Sequence, residues 1–123
     1  MSNSLFDKTT DALATSIRMR QIKHNVTASN IANHETPGYK AQKVEFEEAL
    51  SRSLELGGTE EGGLPVNAEI FDNPEAVVNN DGNTVDMEKE MSALAENSIL
   101  YKSALQLINK KMAALRYAIS EGR

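Results

Sequence analysis

Two groups of residues in this chain have the types needed for chemistry. Glu45, Glu47 and Glu48 place three carboxylates within four positions, and His24, His34 and Glu35 supply nitrogen and oxygen donors. Paired carboxylates hydrolyse glycosides only when they face each other across a cleft, about 5 to 10 Å apart. Neighbours on one strand or one short helix make no cleft, so the glutamates read as a solvated face. A helical zinc site needs two histidines four apart on one face. The two histidines here stand ten apart, and Pro37-Gly38 ends any helix just after Glu35. No glycine-rich phosphate loop precedes a helix, and no Ser/His/Asp grouping can be assembled from the order of residues. The expectation is a protein with no catalytic residues, no cofactor, no metal and no small-molecule substrate.

The elements available to position any site are few. A chain of 123 residues makes at most one small domain, with three Phe, three Tyr and no Trp for its core. It has no cysteine, so disulfides and thiolate metal sites are excluded. It lacks the apolar run of about 18 residues needed to span a bilayer. Asp7 and Asp11 interrupt the first twenty residues, so no cleavable signal peptide is expected. Charge is segregated: residues 1–43 carry +3, residues 44–100 carry −12 and residues 101–123 carry +4. Basic ends without interleaved aromatics on an acidic chain argue against nucleic acid. Contact between neighbours in an assembly accounts for the pattern as well.

From Leu5 to Asn33 there is neither proline nor glycine, which permits one long helix. Its apolar residues fall on two faces. Phe6, Leu13, Ile17, Ala28 and Ile31 project one way, and Ala12, Met19, Ile22 and Val26 the other. Two faces call for partners on two sides. Towards the C-terminus, Met87, Met91, Leu94, Ser98, Tyr101, Leu105, Ile108, Met112, Leu115 and Ile119 alternate by four and three, a sustained heptad seam. A second row, Ala93, Leu100, Leu107 and Ala114, also recurs every seven residues. Asn83 or Thr84 is the expected N-cap, and Lys110, Lys111 and Arg116 are expected near the helix end, where its dipole favours cations. An antiparallel hairpin within the monomer and packing between molecules both remain open on this pattern.

Residues 51–83 hold five of the seven glycines and two of the three prolines. Short strands are expected at Leu64-Pro65-Val66 and Ile70-Phe71, and a turn at Asn80-Asp81-Gly82-Asn83. Tyr39 to Phe46 partly alternates, with Glu45, Glu47 and Glu48 on an exposed side or in a short helix. The expected fold is mainly α. Long N- and C-terminal helices (residues 1–35 and 85–123) form a coiled-coil-like pair around a small, partly mobile, β-rich insert (residues 36–84). Between helix and insert, Asn30 and Asn33 can bond backbone groups. Pro37 drives Thr36 extended, and Pro37-Gly38 fits the centre of a type II turn leading to Tyr39.

That joint, "ASNIANHETPGYKA", resembles the N-terminal signature of the bacterial flagellar rod and hook family. The run from Asp81 to Ile119, "DGNTVDMEKEMSALAENSILYKSALQLINKKMAALRYAI", is similar to the C-terminal part of its short rod subunits. "KVEFEEAL" and the missing large middle domain point to the subunits of the proximal rod. The resemblance covers both ends of the chain; Ser51 to Asn80 matches nothing. His34-Glu35 departs from the small or acidic residues more usual there.

The resemblance implies a structural subunit of the basal-body rod that transmits torque across the periplasm. It implies export through the flagellar type III apparatus, which fits the missing signal. It implies contacts with copies of itself, with other rod subunits, and with export-gate or inner-membrane ring components. The motif residues are Asn30, Ile31, Asn33, Thr36, Pro37, Gly38 and Tyr39. The expected assembly surfaces are Phe6, Leu13, Ile17, Met19, Ile22 and Val26 on the first helix, and Met91, Leu94, Tyr101, Leu105, Ile108, Met112, Leu115 and Ile119 on the last. A soluble helical adaptor or chaperone that binds partner helices is the alternative.

Overall fold

The computed structural model describes residues 8–55 and 68–122. Five elements follow in order: α1 (Lys8–Ala32), β1 (Gln42–Glu45), α2 (Glu47–Glu55), β2 (Glu69–Asp72) and α3 (Met87–Glu121). The architecture is mainly α, with a small two-stranded sheet between two long helices. Phe6, the Leu64–Val66 stretch and the glycine pairs at 57–58 and 62–63 lie outside the described residues.

α1 and α3 pack along each other as an antiparallel pair. At 1.5 Å per residue they are about 37 and 52 Å long, so α3 reaches past the first residue of α1. Few of their residues are buried outright, and most of those are polar. On α1, Thr10, Thr15, Thr27 and Asn30 are buried; on α3, only Asn97 and Ala104 are, seven residues apart.

The apolar core lies where α1 meets β1 and Phe46. Met19 packs with Val44 of β1 and with Phe46, and Ile22, Val26, Ala49, Leu50 and Ala68 close around them. β1 pairs antiparallel with β2, from Gln42 against Asp72 to Glu45 against Glu69. This ribbon has a second support, because Asn73 N donates to Ala41 O at 2.9 Å. α2 begins directly after Phe46, with Glu47 and Glu48 in the first turn, where the helix dipole favours anions.

Two expectations about α3 are corrected. Its N-cap is Asp86, which accepts from Lys89 N at 3.3 Å; Asn83 and Thr84 are committed to the loop before it. The helix also runs on to Glu121, so Lys110, Lys111 and Arg116 precede the last turn, which holds no basic residue. The helix dipole acts only over that last turn. It therefore does not account for these cations.

Candidate functional site

The polar residues of the motif build a joint at the end where α1 stops and α3 starts. Asn33 N bonds the carbonyls of Ser29 and Asn30, and its Nδ2 donates to Ser29 O at 2.8 Å, satisfying the last turn of α1. His34 Nδ1 lies 2.9 Å from Ile31 O, and Thr36 Oγ1 donates to Asn33 Oδ1 at 3.1 Å. Tyr39 N then donates to Thr36 O at 3.2 Å, with Gly38 at φ +74°, which is a type II turn.

Asn30 is 1% exposed, and its amide takes the place of a neighbouring strand. Nδ2 donates to Gln42 O at 2.8 Å, and Oδ1 accepts from Gln42 N at 3.0 Å and from Tyr39 Oη at 3.1 Å. Glu90 of α3 hydrogen-bonds the same side chain. Burial pushes the Glu90 carboxyl above the ordinary carboxylate range. The Asn30 bond opposes that rise and the charge of Asp86 adds to it.

Asn83, fully buried, holds the other strand of the joint. Its Nδ2 donates to Asn33 O at 2.8 Å and to Thr36 O, while its Oδ1 accepts from Val85 N at 2.8 Å. Three more bonds zip the two loops together: Gly38 N to Asp81 O, Thr84 N to Tyr39 O, and Ala41 N to Thr84 Oγ1 at 2.7 Å. Gly82 has φ +80° and comes so near that a Cβ there would lie 3.4 Å from Gly38 Cα. One set of amides thus fixes three directions: the exit of α1, the start of β1 and the entry to α3.

A second junction lies midway along α1. The Arg20 guanidinium sits 5.0 Å from the Phe46 ring centroid, and its Nη1 reaches Glu47 Oε1 at 3.2 Å and Asn97 Oδ1 at 3.3 Å. Asn97 Nδ2 returns a bond to Arg20 O at 2.9 Å. Arg20 Nε is buried without a partner. Lys23 adds a second cation on Glu47 at 3.4 Å, and Lys43 pairs with Glu45. The glutamate cluster is therefore held largely by bases. Beside this junction an open groove of about 550 Å³ runs between α1 and α3, lined by His24, Gln21, Tyr101 and Lys102 among others. It contains no carboxylate. Among the described residues no group of three His, Asp or Glu could hold a metal.

The apolar residues singled out in the sequence divide into three groups. Met19 is 3% exposed and, with Ile22 and Val26, is covered within the chain by Val44 and Phe46. Leu13, Ile17 and Ile31 on α1, and Leu94, Tyr101, Leu105, Ile108, Met112 and Leu115 on α3, are half-buried. Met91 and Ile119 are exposed. Further apolar side chains of α3 face solvent: Ile99, Leu100, Leu107 and Tyr117, with Leu107 at 54% and Tyr117 at 69%. The residues that sequence reasoning missed are polar ones, Arg20 and Asn97. Nothing in the sequence marks Asn97, which stands in a helix that carries polar and charged residues along its whole length.

The family described as flagella basal body rod protein matches residues 18–40, the second half of α1 and the turn beyond it. Among curated proteins, the flagellar basal body rod protein FlgB of Bacillus subtilis (strain 168) is 34% identical, over 98% of this chain and 99% of its own length. FlgB of Aeromonas hydrophila is 32% identical over 93% and 94%. FlgB of Cereibacter sphaeroides (strain ATCC 17023) is 34% identical over 86% and 89%.

Proposed function

The chain belongs to the flagellar basal body rod proteins and is a structural subunit of the rod; from that premise we propose that it forms part of the proximal rod and assembles by side-to-side packing of its helix pair. The observation that carries this reading is where the large apolar residues lie. Of α3 only Asn97 and Ala104 are buried, while Leu100 and Leu107, a heptad apart on one face, and Ile99 and Tyr117 on the neighbouring side are exposed. A lone helix pair with such a surface is incomplete. Large apolar side chains exposed at heptad spacing on one helix mark a docking surface.

In this reading the half-buried seam of α3 (Leu94, Tyr101, Leu105, Ile108, Met112, Leu115) is shared between α1 and neighbouring subunits. Leu13 and Ile17 border the same contacts. The motif joint holds the insert at a fixed angle to the shaft. The neighbours are copies of this chain, other rod subunits and the inner-membrane ring or export gate beneath them. The chain leaves the cytoplasm through the flagellar type III apparatus, and its task is to carry torque across the periplasm without catalysis. Nothing observed favours the adaptor reading.

The test is Leu100→Asp with Leu107→Asp. Both side chains are exposed in the monomer, so its circular dichroism should match that of the wild type. An unpaired charge buried in a packed contact costs several kcal/mol, so rods should be absent from purified basal bodies. Normal rods in this variant would refute the packing assignment.

A further inference from the structure

β2 is an edge strand, and its outer side is open. Asn73 N donates to Ala41 O, so the hydrogen-bonded pairs of the ribbon are Ala41 with Asn73, Lys43 with Phe71 and Glu45 with Glu69. Gln42 and Val44 therefore turn their N–H and C=O away from β2, and Ile70 and Asp72 turn theirs away from β1. The bonds of Gln42 agree, because both of its backbone groups are joined to the Asn30 side chain. That amide closes the β1 edge at Gln42. On the β2 edge, nothing among the described residues takes the N–H or C=O of Ile70 or Asp72.

The side chains at this edge are unfinished as well. Ile70 stands opposite Val44 and so shares its face of the ribbon. Val44 is buried in the core with Met19 and Phe46, yet Ile70 is 52% exposed. The core-side face thus ends uncovered at Ile70. Glu69 and Asp72, one on each face, and Glu75 just beyond are exposed, and they form no ion pair among the described residues. The ribbon's own base, Lys43, is paired with Glu45, and Lys40 lies before β1.

We propose that β2 accepts a third, antiparallel strand from a different protein, an extended segment with an apolar residue opposite Ile70 and basic residues opposite Glu69 and Asp72. Strand addition draws affinity from ladder bonds and specificity from alternate side chains. A strand so placed covers Ile70 and completes the sheet. A second copy of β2 is a poor occupant, because it would bring two more acids to the same edge. Charged side chains guard an edge against self-pairing, and the same charges select a basic partner. The surface lies on the insert, so the inference goes beyond the rod reading and does not rest on helix packing.

The probe is the peptide acetyl-Thr-Lys-Thr-Val-Lys-Thr-amide, whose valine meets Ile70 when its lysines meet Asp72 and Glu69. So few ladder bonds make a weak complex, with a Kd on the order of 1 mM. The titration is therefore followed by nitrogen–proton NMR spectra of the full chain. The amides of Ile70 and Asp72 should shift downfield and gain protection from exchange, while those of Glu69 and Phe71, already turned to β1, should move little. Replacing both peptide lysines by glutamate, or Ile70→Lys in the protein, should weaken binding about five-fold or more. Ile70 is exposed, so circular dichroism of the variant should match wild type; if it does not, the glutamate peptide carries the test. No shift at millimolar peptide, equal shifts along residues 69–72, or equal binding of the glutamate peptide would each overturn the proposal. Shifts of the same two amides on concentrating the protein alone would overturn it too, by making the occupant a second copy. None of these results bears on the rod assignment, which is read from basal bodies.

Discussion

Asn83 offers the sharpest test of the joint. Its side chain is fully buried and makes three bonds, to Asn33 O, Thr36 O and Val85 N. Replacing it with alanine removes all three and leaves the backbone groups facing a gap. At about 1 kcal/mol per bond, and more for any group left dry and unpaired, Asn83→Ala should lose about 3 to 4 kcal/mol. Asn83→Asp separates hydrogen bonding from shape. It keeps an acceptor for Val85 N but sets a carboxylate oxygen against the carbonyls of Asn33 and Thr36. It should therefore cost at least as much as alanine, despite being nearly isosteric. Urea unfolding followed by far-ultraviolet circular dichroism gives both values, provided the m-value holds. For a domain of this size the alanine change corresponds to a fall of roughly 10 to 15 °C in Tm. If either variant stays within about 0.5 kcal/mol of wild type, which is the ordinary range for a surface substitution, the joint does not hold the loops together and the reasoning fails.

Two further outcomes concern the same end of the molecule. Burial raises the Glu90 pKa in the folded state above its unfolded value. The stability this group contributes is therefore fully present below the unfolded pKa and fades as pH rises through the folded one. Glu90→Gln keeps an acceptor for Asn30 and removes the charge. The variant should be more stable than wild type at neutral pH, with the gap narrowing in acid; a gap that widens in acid would contradict the sign. Gly38→Ala places a Cβ where nothing lies within 4 Å, so its cost is that of φ +74° alone, about 1 to 2 kcal/mol. Gly38→Asn should cost less, because asparagine tolerates the left-handed region, and urea midpoints of the two variants will rank them.

Much of this architecture was legible because local chemistry and tertiary structure agree. Stretches free of proline and glycine became α1 and α3. Pro37-Gly38 became the turn, since one residue fixes φ and the next accepts a positive value. Glu47 and Glu48 open α2 rather than line a cleft. Where the sequence misled, a polar side chain had two possible employments and long-range geometry chose between them. Asn83 has the composition of an N-cap, yet its amide serves Asn33 and Thr36, fifty and forty-seven positions away, and capping passes to Asp86. The second apolar face of α1 called for a partner, but periodicity cannot say whether that partner is another molecule. For Met19, Ile22 and Val26 it is the chain's own Val44 and Phe46. Asn97 was invisible for the opposite reason: an asparagine in a helix normally faces water, and only the carbonyl of Arg20 explains its burial.

That carbonyl has a mechanical consequence. The α3 row that meets α1 at this level runs Glu90, Asn97, Ala104 at steps of seven. Sliding α3 by one heptad, about 10 Å, would bring alanine or glutamate to Arg20 O. Neither an alanine side chain nor an ionised carboxylate can donate a hydrogen bond. The displaced Asn97 amide would also lie unpaired among packed side chains, at a cost of about 1 to 3 kcal/mol. An all-leucine seam would slip between equivalent positions far more easily, since every notch looks alike. A drive shaft twisted from one end loads its subunits in shear along their helices, and this single amide acts as a detent against that sliding.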